Sequence, residues 1–210
     1  MMKVLGLYEK TKTSSLSILV LLITGTVFIV LTIVRNQDPY RSLDESCSRS
    51  IYDSKFFSNP FMLFFTRLGS GFFTIPLGVF LFLSFNNTGD RDKRNIMIFN
   101  IIGIRLLTTL FKQLFKRTPP EWERRVKASP YGYPSAHAMN AAAFYSLLLS
   151  FSGLYKNTKI IAGYIVFLFL IGVSRVKLGV HYVLDVIAGI AGGVFYNLAV
   201  IKTYQLFVRR

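Results

Sequence analysis

The sequence predicts an all-α integral membrane protein, a bundle of six transmembrane helices, and three observations support that prediction. Hydrophobic residues make up 52% of the 210 and charged residues 17%, with 20 Phe and 11 Tyr. Mean hydropathy is +0.44. Windows of membrane-spanning length recur without a charged side chain, which excludes disordered and collagen-like chains and argues against a soluble Rossmann or barrel enzyme. Lys and Arg number 25 against 10 Asp and Glu, a net charge of +15. On a membrane protein such an excess anchors cytoplasmic ends or attracts anionic lipid, and nucleic acid is not the expected partner. A single cysteine, Cys47, excludes an intramolecular disulfide, and two histidines are too few for a His-rich metal site.

The spans follow in order. Residues 13–34 contain no charge, and 22 residues at about 1.5 Å each cover the roughly 30 Å hydrocarbon layer, so the first span is placed at 14–34. Lys3, Lys10 and Lys12 precede it as in a secretory leader, but the apolar run is too long and no small-residue cleavage site follows; it reads as a retained anchor. Residues 35–60 mix both signs of charge with Phe56, Phe57 and Pro60 and read as extramembrane or interfacial. A second charge-free run, 68–89, ends in the turn-like Asn86-Asn87-Thr88-Gly89-Asp90, which places a span at 65–87. The third span, 95–115, is interrupted by Arg105, and Lys112 lies seven residues further on the same helical face. Pro119, Pro120, Pro130 and Pro134 make 116–136 a loop. A fourth span at 137–155 turns tightly through 156–159 into a fifth at 160–177. The sixth, 182–202, holds Gly189 and Gly193 at the spacing that lets membrane helices approach closely. No internal repeat appears, so 1–210 reads as one membrane domain.

Parity places Lys112, His137, Arg175 and His181 on one side of the membrane. Lysine and arginine are nearly balanced between the sides, eleven on the side of the termini and thirteen on the side of the cluster. Setting aside the cations of 112–127 with Arg175 and Lys177 as a ligand site leaves five, which puts both termini in the cytoplasm.

Pro134-Ser135-Ala136-His137 stands at a loop-to-helix junction, where a capping serine and free backbone N–H groups make an anion site; a plain N-cap beside an interfacial histidine is the competing reading. His181 and Asp185 are one helical turn apart, so the carboxylate can accept from Nδ1 and leave Nε2 as a nucleophile, whereas a structural ion pair is the alternative. Lys112 continues the Arg105 face toward the histidines, as a phosphate ligand should. Lys116, Arg117, Arg124, Arg125 and Lys127 read mostly as a solvated or headgroup-facing run. Arg105 is ambiguous between a deep substrate contact and a helix-to-helix bond. About 22 Å of helix separates Lys159 from Arg175, less than the hydrocarbon layer, so Arg175 is expected near the headgroup plane.

These residues resemble the type 2 phosphatidic acid phosphatase (PAP2) superfamily of bacterial membrane lipid phosphatases, whose signatures are K-x6-R-P, P-S-G-H and S-R-x5-H-x3-D. The third is matched in full by Ser174, Arg175, His181 and Asp185. The second appears with Ala136 in place of glycine. In the first, Lys112 and Pro120 hold their places, but Pro119 stands where the family has arginine. The likeness covers roughly residues 105–193.

The resemblance implies that His181 attacks phosphorus to give a phosphohistidine, Asp185 orients it, and His137 protonates the leaving oxygen and then activates water. It implies that Lys112, Ser135 and Arg175 hold the nonbridging oxygens and that no metal or other cofactor takes part. Arg117, two residues before Pro119, is expected to replace the missing ligand. The implied partner is a lipid phosphate or diphosphate in the bilayer of a bacterial cytoplasmic membrane, with the site on its outer face. Undecaprenyl diphosphate, phosphatidylglycerol phosphate, phosphatidic acid and lipid A 1-phosphate stay open as substrates. A lipid phosphotransferase and a non-catalytic lipid-binding relative are the alternatives.

Overall fold

Charge-free apolar runs become helices because a chain in hydrocarbon must satisfy every backbone N–H and C=O within itself. The computed structural model describes residues 15–56 and 58–207, and all regular structure among them is helical. Lys3, Lys10, Lys12 and Phe57 lie outside the described residues. Helix α1 (Ser15–Val34) matches the first expected span and buries no side chain fully. Two of its hydroxyls are satisfied locally: Thr24 and Thr32 each donate to a carbonyl one turn back, at 2.7 Å.

The segment expected outside the membrane contains α2 (Tyr40–Asp53), which turns Asp44, Ser48 and Tyr52 inward at four-residue spacing. The second expected span is two helices, α3 (Asn59–Leu68) and α4 (Gly71–Asn87). The break at Gly69 and Ser70 has a packing cause: a Cβ on Gly69 would lie 2.7 Å from Ile171 Cγ2. Ser70 is extended and its Oγ donates to the Arg67 carbonyl at 2.6 Å, competing with helical continuation.

Helix α5 (Arg91–Phe115) starts earlier than expected because the Asp90 carboxylate caps it, accepting from Lys93 N at 3.1 Å. Its buried stripe, Ile96, Asn100, Ile104, Thr108 and Lys112, recurs every fourth residue and leads from the apolar core to the polar end. After α6 (Ala136–Ser152) and a short 3-10 turn, α7 (Thr158–Lys177) and α8 (Val183–Phe207) complete the bundle.

Among the described residues, five segments are long and apolar enough to cross a membrane: Ser15–Val34, Asn59–Asn87, Arg91–Phe115, Thr158–Lys177 and Val183–Phe207. The fourth of the six expected spans is α6, which at 17 residues is shorter than these. It is the bundle's centre, packed by α8, α5, α7 and α4. Four of its five alanines (Ala138, Ala141, Ala142, Ala143) are fully buried. By contrast Leu22, Ile33, Phe72, Phe80, Leu106 and Phe169 each leave more than a third of their surface exposed, the outward apolar face of an integral membrane protein. Arg105 is resolved as a helix-to-helix bond, donating to Thr74 Oγ1 at 2.8 Å and to its own Ile101 carbonyl at 2.9 Å.

Helices α6 and α8 meet at the two glycines singled out in the sequence. A Cβ on Gly193 would lie 2.3 Å from the Met139 carbonyl oxygen, and one on Gly189 would lie 2.7 Å from that of Ser135. Gly163, inside α7, has open space around it. Gly193→Ala therefore lowers thermal stability by about 1–3 kcal/mol, through overpacking. Gly163→Ala is neutral or stabilising by about 0.5–1 kcal/mol, through helix propensity. Thermal unfolding of the two variants in one detergent measures the contrast.

Candidate active site

The last turn of α7 and the first of α8 set the site, and a left-handed glycine joins them. Leu178 ends α7 and Gly179 follows at φ +75°. Gly179 N donates to the Val176 carbonyl (2.9 Å) and Val180 N to that of Arg175 (3.2 Å), the paired bonds of a Schellman stop. The five residues between Arg175 and His181 are thus a chain reversal that returns His181 toward the helix end holding Arg175.

Helix α8 starts without a serine or asparagine of its own at the cap, and α2 supplies one from a distance. Asp44 Oδ1 accepts from Leu184 N and Ser48 Oγ from Val183 N, both at 2.9 Å, while Asp185 Oδ2 accepts from Tyr182 N at 3.0 Å. His181 Nδ1 lies 3.5 Å from Asp185 Oδ2, close but longer than an aligned hydrogen bond. Both side chains are buried.

The loop of residues 116–135 closes over this turn. Ser135 N donates to the Asp185 carbonyl at 2.9 Å, which ties the start of α6 directly to α8. Ser135 is the extended N-cap and Ala136 the first helical residue, so the methyl that replaces the family's glycine sits where a helix accepts any side chain. Ser135 Oγ is buried yet bonds neither to the helix nor to another group. His137, partly exposed, lies within the electrostatic reach of Arg175, His181 and Lys112. Lys112 is buried and donates to the Tyr131 carbonyl; Arg175 is buried and donates to Thr66 Oγ1 of α3, with its Nε unpartnered. Buried donors without a partner are rare; Ser135 Oγ and Arg175 Nε are two of them, Ser135 being tied to Asp185 through its backbone N–H and Arg175 lying within electrostatic reach of both histidines.

Arg117 is at the site but differently engaged from the sequence expectation. Its Nη1 lies 2.6 Å from Asp185 Oδ1 and its Nη2 2.8 Å from Asp44 Oδ2, with the guanidinium 4.6 Å over the Tyr182 ring. Two of its five N–H donors are thus directed at carboxylates. Lys116, Arg124 and Lys127 are exposed, and Arg125 braces the loop by donating to the Lys177 carbonyl at 3.0 Å.

Sequence reasoning missed Asp44, whose partners lie 73 and 140 residues away. It missed Tyr133, which is fully buried and whose hydroxyl pairs with Thr32 at 2.7 Å, and Arg35, stacked over Phe115 and Tyr133 at 4.7 and 4.8 Å. The four-residue spacing of Asp44, Ser48 and Tyr52 was the available signal for the first; nothing local marks the others. Among the described residues no three His, Cys, Asp or Glu side chains converge as a metal would require.

Burial pushes the His181 imidazole down to about 4, with the Asp185 carboxylate opposing that shift and Lys112 and Arg175 adding to it. For Arg117, burial acts against the charge, but the Asp185 and Asp44 carboxylates outweigh it and hold its pKa above the ordinary arginine value. Burial pushes the Asp44 carboxyl up, opposed by the Leu184 N–H and by Arg117.

Fold and site together define an integral membrane helical bundle with its ionisable chemistry gathered at one pole. The PAP2 superfamily model matches residues 95–209, and the chain belongs to that superfamily. It is 31% identical over 179 residues to phosphatidylglycerophosphatase B of Bacillus subtilis (strain 168), covering 79% of this chain and 85% of that one. The structure is similar to the crystal structure of a transmembrane PAP2 type phosphatidylglycerolphosphate phosphatase from Bacillus subtilis, with a TM-score of 0.75, 27% identity and coverage of 89% and 96%. It is also similar to LpxE of Aquifex aeolicus, with a TM-score of 0.60, 25% identity and coverage of 76% and 95%.

With two histidines in the chain, 15N imidazole spectra follow both, and His181→Ala assigns them. His181 half-protonates near pH 4 rather than 6.5. Because its folded pKa lies below the unfolded one, its contribution to stability is complete above pH 6.5 and is lost as pH falls from 6.5 toward 4. Half-protonation of His181 near 6.5 would contradict the buried placement.

Proposed function

We propose that this protein is a membrane lipid phosphatase that removes the terminal phosphate of a lipid phosphate or diphosphate through a phosphohistidine. The observation on which this rests is the pairing of a buried imidazole with a buried carboxylate, beside two buried donors, Ser135 Oγ and Arg175 Nε, that have no protein partner. A tetrahedral anion satisfies such donors, and a membrane bundle brings it in attached to a lipid.

In the first step His181 Nε2 attacks phosphorus and the P–O bond to the lipid breaks. The leaving oxygen takes a proton from His137, whose protonated form the arriving phosphate favours. Lys112, Ser135 and Arg175 hold the nonbridging oxygens as their charge redistributes, and Asp185 steadies the cationic phosphohistidine ring. In the second step His137 accepts a proton from water, the oxygen attacks phosphorus, and the P–N bond breaks to free His181 and orthophosphate. Neither step calls on a metal.

A six-crossing reading, with the 17-residue α6 as the fourth crossing, supports gathering these groups at one membrane face. The charge balance favours both termini in the cytoplasm and the site on the outer face of a bacterial cytoplasmic membrane. The likeness to Bacillus subtilis phosphatidylglycerol phosphate phosphatase, in sequence and in structure, makes phosphatidylglycerol phosphate the first substrate to test.

Purified protein releases orthophosphate from at least one member of a panel of phosphatidylglycerol phosphate, undecaprenyl diphosphate, phosphatidic acid and lipid A 1-phosphate. His181→Ala abolishes release, and Lys112→Ala or Arg175→Ala lowers it about 10²–10³-fold. Release that persists unchanged in His181→Ala removes the nucleophile and the mechanism with it.

A further inference from the structure

An ionised carboxylate buried in a membrane protein needs a full set of partners, and the set around Asp185 reaches beyond the histidine it faces. Asp185 Oδ2 takes Tyr182 N at 3.0 Å and faces His181; Oδ1 takes Arg117 Nη1 at 2.6 Å. The other arm of the same guanidinium is held 2.8 Å from Asp44, which is fixed in turn by Leu184 N at 2.9 Å. Asp44, Arg117 and Asp185 are all buried, so the fork has no solvent to exchange with. Planar and bidentate, a guanidinium fixes the orientation of both carboxylates, which an ammonium cannot do.

We propose that Arg117 and Asp44 are positioning residues for the nucleophile: the guanidinium, anchored on Asp44, holds the Asp185 carboxylate in the orientation that presents Oδ2 to His181. This rests on the reading of His181 as nucleophile. It gives Arg117 a role in kcat, where a phosphate ligand would act on ground-state binding as well, and makes the interfacial helix α2 part of the catalytic apparatus.

The test compares Arg117→Lys, Arg117→Met, Asp44→Asn and the double variant Asp44→Asn/Arg117→Met. Readouts are kcat, KM, the inhibition constant of inorganic phosphate, and the 15N titration of His181. The groups facing that imidazole are Asp185, Lys112 and Arg175, with Arg117 acting through Asp185. Arg117→Lys is expected to lower kcat about tenfold and Arg117→Met about 100-fold, with Asp44→Asn losing less than Arg117→Met. KM and phosphate inhibition stay within about threefold of wild type, because Lys112 and Arg175 are untouched. The His181 titration moves upward once a cation opposing the imidazolium is gone.

Should Arg117→Met not fold, the double variant neutralises Asp44, one of the two carboxylates that lose the guanidinium, and Arg117→Lys keeps the charge; both face the same comparisons. Unchanged kcat with an unmoved titration overturns the proposal, as does a loss that appears as weaker phosphate inhibition. If wild type releases no phosphate from any lipid, the catalytic reading fails, while the titration still reports whether Arg117 governs the Asp185–His181 pair.

Discussion

The buried carboxylate of Asp185 is the constraint that organises the polar end of this bundle. It is fully enclosed, and an unpaired charge there would cost several kcal/mol. Its partners come from elements far apart in the chain: Arg117 after α5, Tyr182 N and His181 in the turn before α8, and Asp44 through Arg117. Its own carbonyl accepts from Ser135 at the start of α6. Meeting the needs of one residue therefore positions the helix ends that present His137, Arg175 and Lys112. A site assembled this way is stiff, since no member can shift without exposing a buried charge.

Such polarity is tolerated in a membrane protein because the apolar and polar requirements are separated along the helix axes. The stripe of α5 passes from Ile96 to Lys112, and the fully buried part of α7 is its last turns, from Ile171 to Lys177. Lipid-facing side chains are apolar along these helices, and the charges that leave water do so only where a second chain segment meets them. Lys177 illustrates this: its Nζ donates to the Tyr52 carbonyl at 2.8 Å and to that of Ser54, pinning the end of α2. A cation that reads in sequence as part of a ligand cluster is, in the fold, a clasp between two helices.

The spacings visible in the sequence were informative where the interaction is local. Gly189 and Gly193 do bring α8 against α6, because periodicity alone fixes that relation. His181 and Asp185 also meet, at 3.5 Å, but His181 stands in the turn before α8 and the turn sets that contact. The break of the second span at Gly69 and Ser70 was hidden inside a charge-free run, since its cause is Ile171 on another helix. The bridge of Arg117 to Asp44 was hidden for the same reason, and a rule that reads mixed-charge segments as solvated passes over a single aspartate that turns inward. Arg105 was undecided until the fold placed Thr74 opposite it.

Pro119 is the sharpest departure from the family pattern, and its surroundings bear on what it does. It is buried, its Cα 3.4 Å from where a Cβ on Gly132 would stand, and that same Cβ would lie 3.0 Å from Asp185 Oδ2. The strand of loop at 117–119 therefore runs beside the carboxylate, and Gly132 N secures it by donating to the Arg117 carbonyl at 2.8 Å. Two guanidinium groups in that space, one on Asp185 and one two residues later, would repel each other in a low dielectric unless phosphate were already bound. On the proposed mechanism, the chain keeps the arginine that serves the carboxylate and places an uncharged, rigid residue beside it. Direct neutralisation of phosphate then falls to Lys112 and Arg175, buried cations whose hydrogen bonds go to a carbonyl and a hydroxyl and not to a carboxylate.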